Sequence, residues 1–136
     1  MIDLSSSLTE STWIELTDDV KVKVKPLNSL LWNTARAGLD GDLRKMRAES
    51  DHLKSLGEPT PDWDDENVRQ AYVLTVLTKR LAIAAIEDWQ GVKDNNKLVT
   101  PTADTISRLM DMPFLANQFY LAYTRTLDVV EQEKNA

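Results

Sequence analysis

Ala71-Tyr72-Val73-Leu74-Thr75-Val76-Leu77-Thr78-Lys79-Arg80-Leu81-Ala82-Ile83-Ala84-Ala85-Ile86 is the stretch on which the fold turns. Its apolar side chains fall on nearly every side of a helix, interrupted by Lys79 and Arg80. A helix that is apolar all round is covered all round. The sequence therefore predicts a buried spine, with Val73, Val76, Leu77, Leu81, Ile83 and Ile86 in the core. The acidic run Asp62-Trp63-Asp64-Asp65-Glu66 precedes it. Carboxylates there cap the free N–H groups of a helix N-terminus and match its dipole. The expected end lies near Trp89-Gln90-Gly91, with Gly91 as the left-handed residue beyond the helix. The stretch is shorter than the ~20 apolar residues a membrane span needs.

Upstream the period changes to two. Trp13-Ile14-Glu15-Leu16, then Thr17-Asp18-Asp19, then Val20-Lys21-Val22-Lys23-Val24-Lys25 read as strand, turn and strand. Strict Val/Lys alternation puts valines on one face and lysines on the other. Pro26 stops the second strand, because it cannot donate to a ladder. Between hairpin and spine the apolar residues recur at helical spacing: Leu27, Leu30, Leu31, Ala35 and Leu39, then Leu43, Met46, Leu53 and Leu56. Gly38 and Asp40-Gly41 are read as a break, and Gly57-Glu58-Pro59-Thr60-Pro61 as a loop.

Downstream, Lys93-Asp94-Asn95-Asn96-Lys97 reads as a polar turn. Thr100-Pro101 is taken as N-cap and first residue of a short helix carrying Ile106, Leu109 and Met110. Pro113 divides it from a last helix with Leu115, Phe119, Ala122, Tyr123, Leu127 and Val130 on one side. The expectation is a mainly α fold: a compact helical domain around one buried central helix, with an N-terminal β-hairpin. It is read as a single domain over 1–136, with a mobile lead-in at 1–12, the hairpin at 13–26, a helical core at 27–130 and a frayed tail at 131–136.

Composition narrows the function. The 136 residues contain no cysteine, one histidine and four glycines. Thiolate nucleophiles, zinc-thiolate sites and iron–sulfur clusters are excluded, and no phosphate-binding glycine loop can be written. Lys plus Arg number 16 against 22 Asp plus Glu, a net charge of −6. That balance disfavours nucleic acid, since phosphate contacts need clustered cations. The N-terminus has neither the basic nor the apolar segment of a signal peptide, so a cytoplasmic protein is expected. No enzyme, cofactor or metal is expected. The acids at 62–66 lack the glycine and bidentate carboxylate of a calcium loop. His52 sits in the polar run Glu49-Ser50-Asp51-His52 with no nucleophile to serve.

Four residues remain as candidates for partner binding. Lys21, Lys23 and Lys25 form the one basic stripe. It is read either as a solvated strand face that discourages edge pairing or as a docking stripe for an acidic partner. Trp63, between Pro61 and the acidic run, is taken as an exposed contact, whereas Trp89 is assigned to the core.

The C-terminal half carries a more specific pattern. Ala85-Ile86-Glu87-Asp88-Trp89-Gln90-Gly91-Val92-Lys93-Asp94 is followed by Val99-Thr100-Pro101-Thr102, by Ile106-Ser107-Arg108-Leu109-Met110, by Pro113 to Tyr123, and by Glu133-Lys134-Asn135. This resembles the tail assembly chaperones of long-tailed bacteriophages and prophages. Asn95-Asn96 stands where that group would have a glycine. The resemblance implies a non-enzymatic protein whose partners are the tape measure protein and the tail tube subunits. It implies action in the infected or lysogenic host and absence from the mature virion. It also implies a longer product made by a backward slip of the ribosome, if Glu133-Lys134-Asn135 is encoded as GAA-AAA-AAC. Two other classes stay open: a structural or connector protein of the tail, and a small regulatory binding module. The oligomeric state is left open as well.

Overall fold

The computed structural model describes residues 10–125. The expected lead-in up to Thr9, the apolar positions Leu127 and Val130, and the tail at 131–136 lie outside the described residues.

Strands β1 (Thr12–Glu15) and β2 (Lys21–Val24) form the expected hairpin. Its turn is held by Thr17, whose hydroxyl accepts from the N–H groups of Asp19 and Val20, and by Leu16 N–H donating to the Val20 carbonyl at 2.8 Å. Helices α1 (Ser29–Ala37), α2 (Leu39–Ser55) and α3 (Glu66–Ala85) follow. The chain then returns to the sheet as β3 (Ile86–Gln90), makes a small hairpin of β4 (Lys93–Asp94) and β5 (Lys97–Leu98), and continues into α4 (Ala103–Leu109) and α5 (Pro113–Tyr123), the last elements among the described residues.

The class is therefore mixed α and β, which corrects the expectation of a mainly helical domain with only an N-terminal hairpin. Among the described residues helix takes 56% and strand 15%, and the hairpin is part of a three-stranded sheet in the order β1-β2-β3. The error lies at the end of the spine. Helix α3 stops at Ala85, and Ile86 turns out at φ −73°, ψ 118° to pair antiparallel with β2. Lys25 N–H donates to the Ala85 carbonyl at 2.9 Å, so the β2 strand end binds the helix end directly. Two strands alone are marginal in water. The third strand gives β2 a partner on both edges.

Gly91 is consequently not a helix cap. It lies just past β3 with φ +84°, and a Cβ built there overlaps the Asp19 carbonyl oxygen and comes within 2.9 Å of the Asp19 carbonyl carbon. Only glycine fits where the β1–β2 turn meets this backbone.

The helix starts follow side-chain chemistry. Asn28 caps α1 through Leu31 N–H at 2.9 Å, and Asp65 caps α3 through Asn67 N–H at 2.8 Å. The acidic run is thus a capping segment. Helix α4 starts later than Thr100-Pro101: Thr102 is its N-cap, in a reciprocal box with Thr105. Pro113 opens α5 as expected. Gly38 separates α1 from α2, but Gly41 lies inside α2 and breaks nothing. Asn95 and Asn96, at φ 51° and 65°, form the tight turn between β4 and β5. Asparagine tolerates this left-handed region, so it serves where a glycine was expected.

The core forms where sheet, α3 and α5 meet. Its largest fully buried side chains, Val22, Leu81 and Phe119, come one from each. Each such residue contributes about 1.5–3 kcal/mol on removal from water. Trp89 packs here and donates its indole N–H to the Val99 carbonyl at 2.7 Å. Tyr123 donates its hydroxyl to the Lys25 carbonyl at 2.9 Å, tying α5 to the end of β2. Of the six spine residues expected inside, Val76, Leu77, Leu81 and Ile86 are buried. Val73 and Ile83 are 37% and 41% exposed, so α3 has an open side. Leu30, Leu53 and Leu56 are exposed too, because α1 and α2 cover only part of that helix. No helix among the described residues is long and apolar enough to cross a membrane.

Candidate functional site

The lysine stripe is divided by the sheet. Lys21 and Lys23 occupy the face of β2 opposite the valines and are half-buried. Lys21 lies 3.5 Å from Glu15 on β1, and Lys23 is opposite Trp13 on one side and Asp88 on the other. The outer sheet face is thus a mixed surface, with carboxylates from both neighbours beside the cations. Lys25 lies beyond the strand, and both of its backbone groups are used, toward Ala85 and Tyr123. The three lysines are not a continuous basic ridge.

Trp63 is not the exposed contact that its neighbours suggested. It is 9% exposed and stacks on Tyr72 with ring centroids 4.2 Å apart and planes 13° from parallel. Arg69 donates to its carbonyl at 2.9 Å, which folds the capping segment over the first turns of α3. Its indole N–H has no partner among the described residues.

Ionic contacts bind elements together. Asp42 on α2 pairs with Arg80 on α3 at 2.5 Å, and this hydrogen bond holds the Asp42 carboxyl below its usual range. Lys79 pairs with Asp111 at 2.5 Å, joining α3 to the turn before α5. Arg108 on α4 reaches Asp94 in the small hairpin at 3.0 Å and lowers its pKa. His52 is exposed. Among the described residues no three His, Cys, Asp or Glu side chains come together as a metal-binding group.

A groove of about 270 Å³ lies between α3 and α5. Leu74, Thr75 and Thr78 form one wall; Met110, Asp111 and Pro113 close one end; Ala116, Asn117 and Tyr120 form the other wall. The Thr78 hydroxyl donates to the Leu74 carbonyl at 2.7 Å, so its hydrogen-bonding need is met within its own helix. The groove continues the line of the core. Leu74, Thr78, Leu81 and Ala85 follow one another at helical spacing along α3. The last three are buried and Leu74 is 51% exposed, because α5 begins too late to cover the first turns of α3.

The wall formed by α5 has an unusual composition. Pro113-Phe114-Leu115-Ala116-Asn117-Gln118-Phe119-Tyr120-Leu121-Ala122-Tyr123 contains no acidic or basic residue. Leu115, Phe119 and Tyr123 face the core, yet Phe114 is 66% exposed and Leu121 53%. Met112 and Leu74 are exposed as well, so apolar surface continues from α5 onto the turn before it and onto α3. Sequence reading assigned α5 to the core by its inward stripe. The missed signal was that the opposite side of the helix lacks charge as well.

The chain matches no protein-family model, no curated protein and no solved structure.

Proposed function

We propose that this protein is a non-enzymatic binding module that receives an amphipathic helix in the α3–α5 groove. The observation that carries the reading is the groove itself. It is a concave, mainly apolar channel between two helices, flanked by exposed Leu74 and half-buried Tyr120 and continuous with the core. Such channels recognise a partner helix through apolar side chains at i, i+3, i+4 and i+7. The resemblance of residues 85–135 to tail assembly chaperones supplies the client: the long, helical, aggregation-prone tape measure protein, held soluble until tail tube subunits polymerise around it. A modest groove suits that task, because a chaperone must release its client. On this reading the protein works in the cytoplasm of the infected or lysogenic host and is absent from the finished particle.

The test is co-expression with the tape measure protein of the same genome. The client is expected in the soluble fraction with the wild-type chain and in the pellet without it. Ala116→Arg, which fills the groove from a half-buried position, is expected to return the client to the pellet while the variant itself stays folded. A client that remains insoluble with wild type refutes the reading. The outer edge of β1 favours a second role, a structural protein whose sheet is extended by a neighbour. Retention in purified particles distinguishes that role from a chaperone. The codons for Glu133-Lys134-Asn135 test the frameshifted product: GAG or AAG in place of GAA-AAA removes it.

A further inference from the structure

The exposed side of α5 has a symmetry of its own. Phe114 and Leu121 are seven residues apart, two helical turns, and so lie on one face. Their midpoint falls between Asn117 and Gln118, two uncharged amides. Beyond Phe114, on the turn entering the helix, is Asp111, whose side chain is 62% exposed although it pairs with Lys79. Beyond Leu121, two residues past the helix end, is exposed Arg125. Read in either direction, the face runs charge, apolar, amide, apolar, opposite charge.

We propose that this face pairs with the same face of a second copy, α5 against α5, antiparallel about a two-fold axis at Asn117 and Gln118. An isologous contact requires a patch complementary to itself, and three features of this one meet that requirement. Antiparallel packing sets Phe114 of each copy against Leu121 of the other. It brings the amides at the axis together, where each side chain both donates and accepts. It also places Arg125 of each copy at the Asp111 end of the other, so both ends carry opposite charges. A parallel arrangement would bring like charges together at both ends. The absence of charge along α5 matters for the same reason. A chain of net charge −6 is repelled by its own copy, and a helix without charged residues adds nothing to that cost. Asp111 and Asn117 also line the α3–α5 groove, so the dimer borders it, while the groove residues Ala116 and Tyr120 lie on another side of the helix; the dimer is tested on the chain alone, and so the inference does not depend on the client.

Sedimentation velocity of the full chain over a concentration series tests this. The wild type is expected to show a monomer–dimer equilibrium. Phe114→Glu and Leu121→Glu, both at exposed positions, are expected to weaken it by about tenfold or more with an unchanged circular dichroism spectrum. Arg125→Glu alone is expected to weaken the dimer, and Asp111→Arg combined with Arg125→Glu to restore it. Because the chain has no cysteine, Asn117→Cys supplies an independent reading: oxidation is expected to give a disulfide-linked dimer. A chain that stays monomeric throughout the series overturns the proposal and assigns the stripe to another protein or to the chain's own ends. A dimer indifferent to Phe114→Glu and Leu121→Glu overturns the choice of face. Failure of the double charge exchange to restore the dimer overturns the antiparallel arrangement.

Discussion

Replacing Gly91 by alanine tests the one feature that separates this fold from a helical bundle. If β3 runs beside β2, Gly91 must lie against the Asp18-Asp19 turn, where a Cβ overlaps the Asp19 carbonyl oxygen. Two costs add. A side chain at φ +84° is strained by about 1–2 kcal/mol, partly offset by the stiffer unfolded chain. The overlap must then be relieved by moving backbone, because a carbonyl oxygen cannot rotate away as a side chain does. Moving that turn loosens the Leu16–Val20 and Thr17–Val20 hydrogen bonds, each worth about 0.5–1.5 kcal/mol. The expected loss is about 3 kcal/mol. Gly57 is the matched control: its φ is +81°, with nothing within 4 Å of the added Cβ. Gly57→Ala should therefore lose only the conformational part, about 1 kcal/mol. Gly41, inside α2 with open space around it, should gain about 0.5–1 kcal/mol as alanine. Urea unfolding measures all three; at a slope of about 2 kcal/mol per molar, the first loss lowers the midpoint by about 1.5 M. Equal losses at Gly91 and Gly57 would refute the packing of β3 against the hairpin.

Further outcomes follow from the same contacts. Phe119→Ala, fully buried and stacked on Tyr123, is expected to cost about 3–5 kcal/mol in denaturant unfolding, whereas Val73→Ala and Ile83→Ala on the open side of α3 should each cost about 1 kcal/mol or less. Burial raises the Tyr123 phenol above its ordinary pKa of 10.0. The unfolded chain then ionises first, so this contribution to stability is intact below pH 10 and falls as pH rises above it. Tyr123→Phe should remove that part of the alkaline decline, read from unfolding midpoints at successive pH values. Reversing Lys21, Lys23 and Lys25 to glutamate should cost about 1–2 kcal/mol, because carboxylates would then face Glu15 and Asp88 across the strands. Added salt should reduce the loss.

What the sequence determined by itself was local. Val/Lys alternation ending at Pro26 placed the first hairpin, the acids before Glu66 capped α3, and Pro113 opened α5, because each signal acts within a few residues of itself. Thr17, Asn28 and Asp65 make their hydrogen bonds to near neighbours, so the spacing alone contains them. Tertiary structure decided what depends on distant partners. Ile86 to Gln90 follows the apolar run and reads as the end of its helix, and it becomes strand because β2 offers a free edge to Ile86 and Trp89. Trp63, polar on both sides in sequence, is buried because the capping segment folds onto Tyr72. Lys21 and Lys23 read as a basic stripe until β1 and β3 bring Glu15 and Asp88 alongside. The groove was illegible for a related reason. Periodicity shows that Leu74 continues the line of Thr78 and Leu81, but it does not show where the covering helix begins. That α5 starts at Pro113 and leaves Leu74 half uncovered is a matter of how two helices are placed against one sheet.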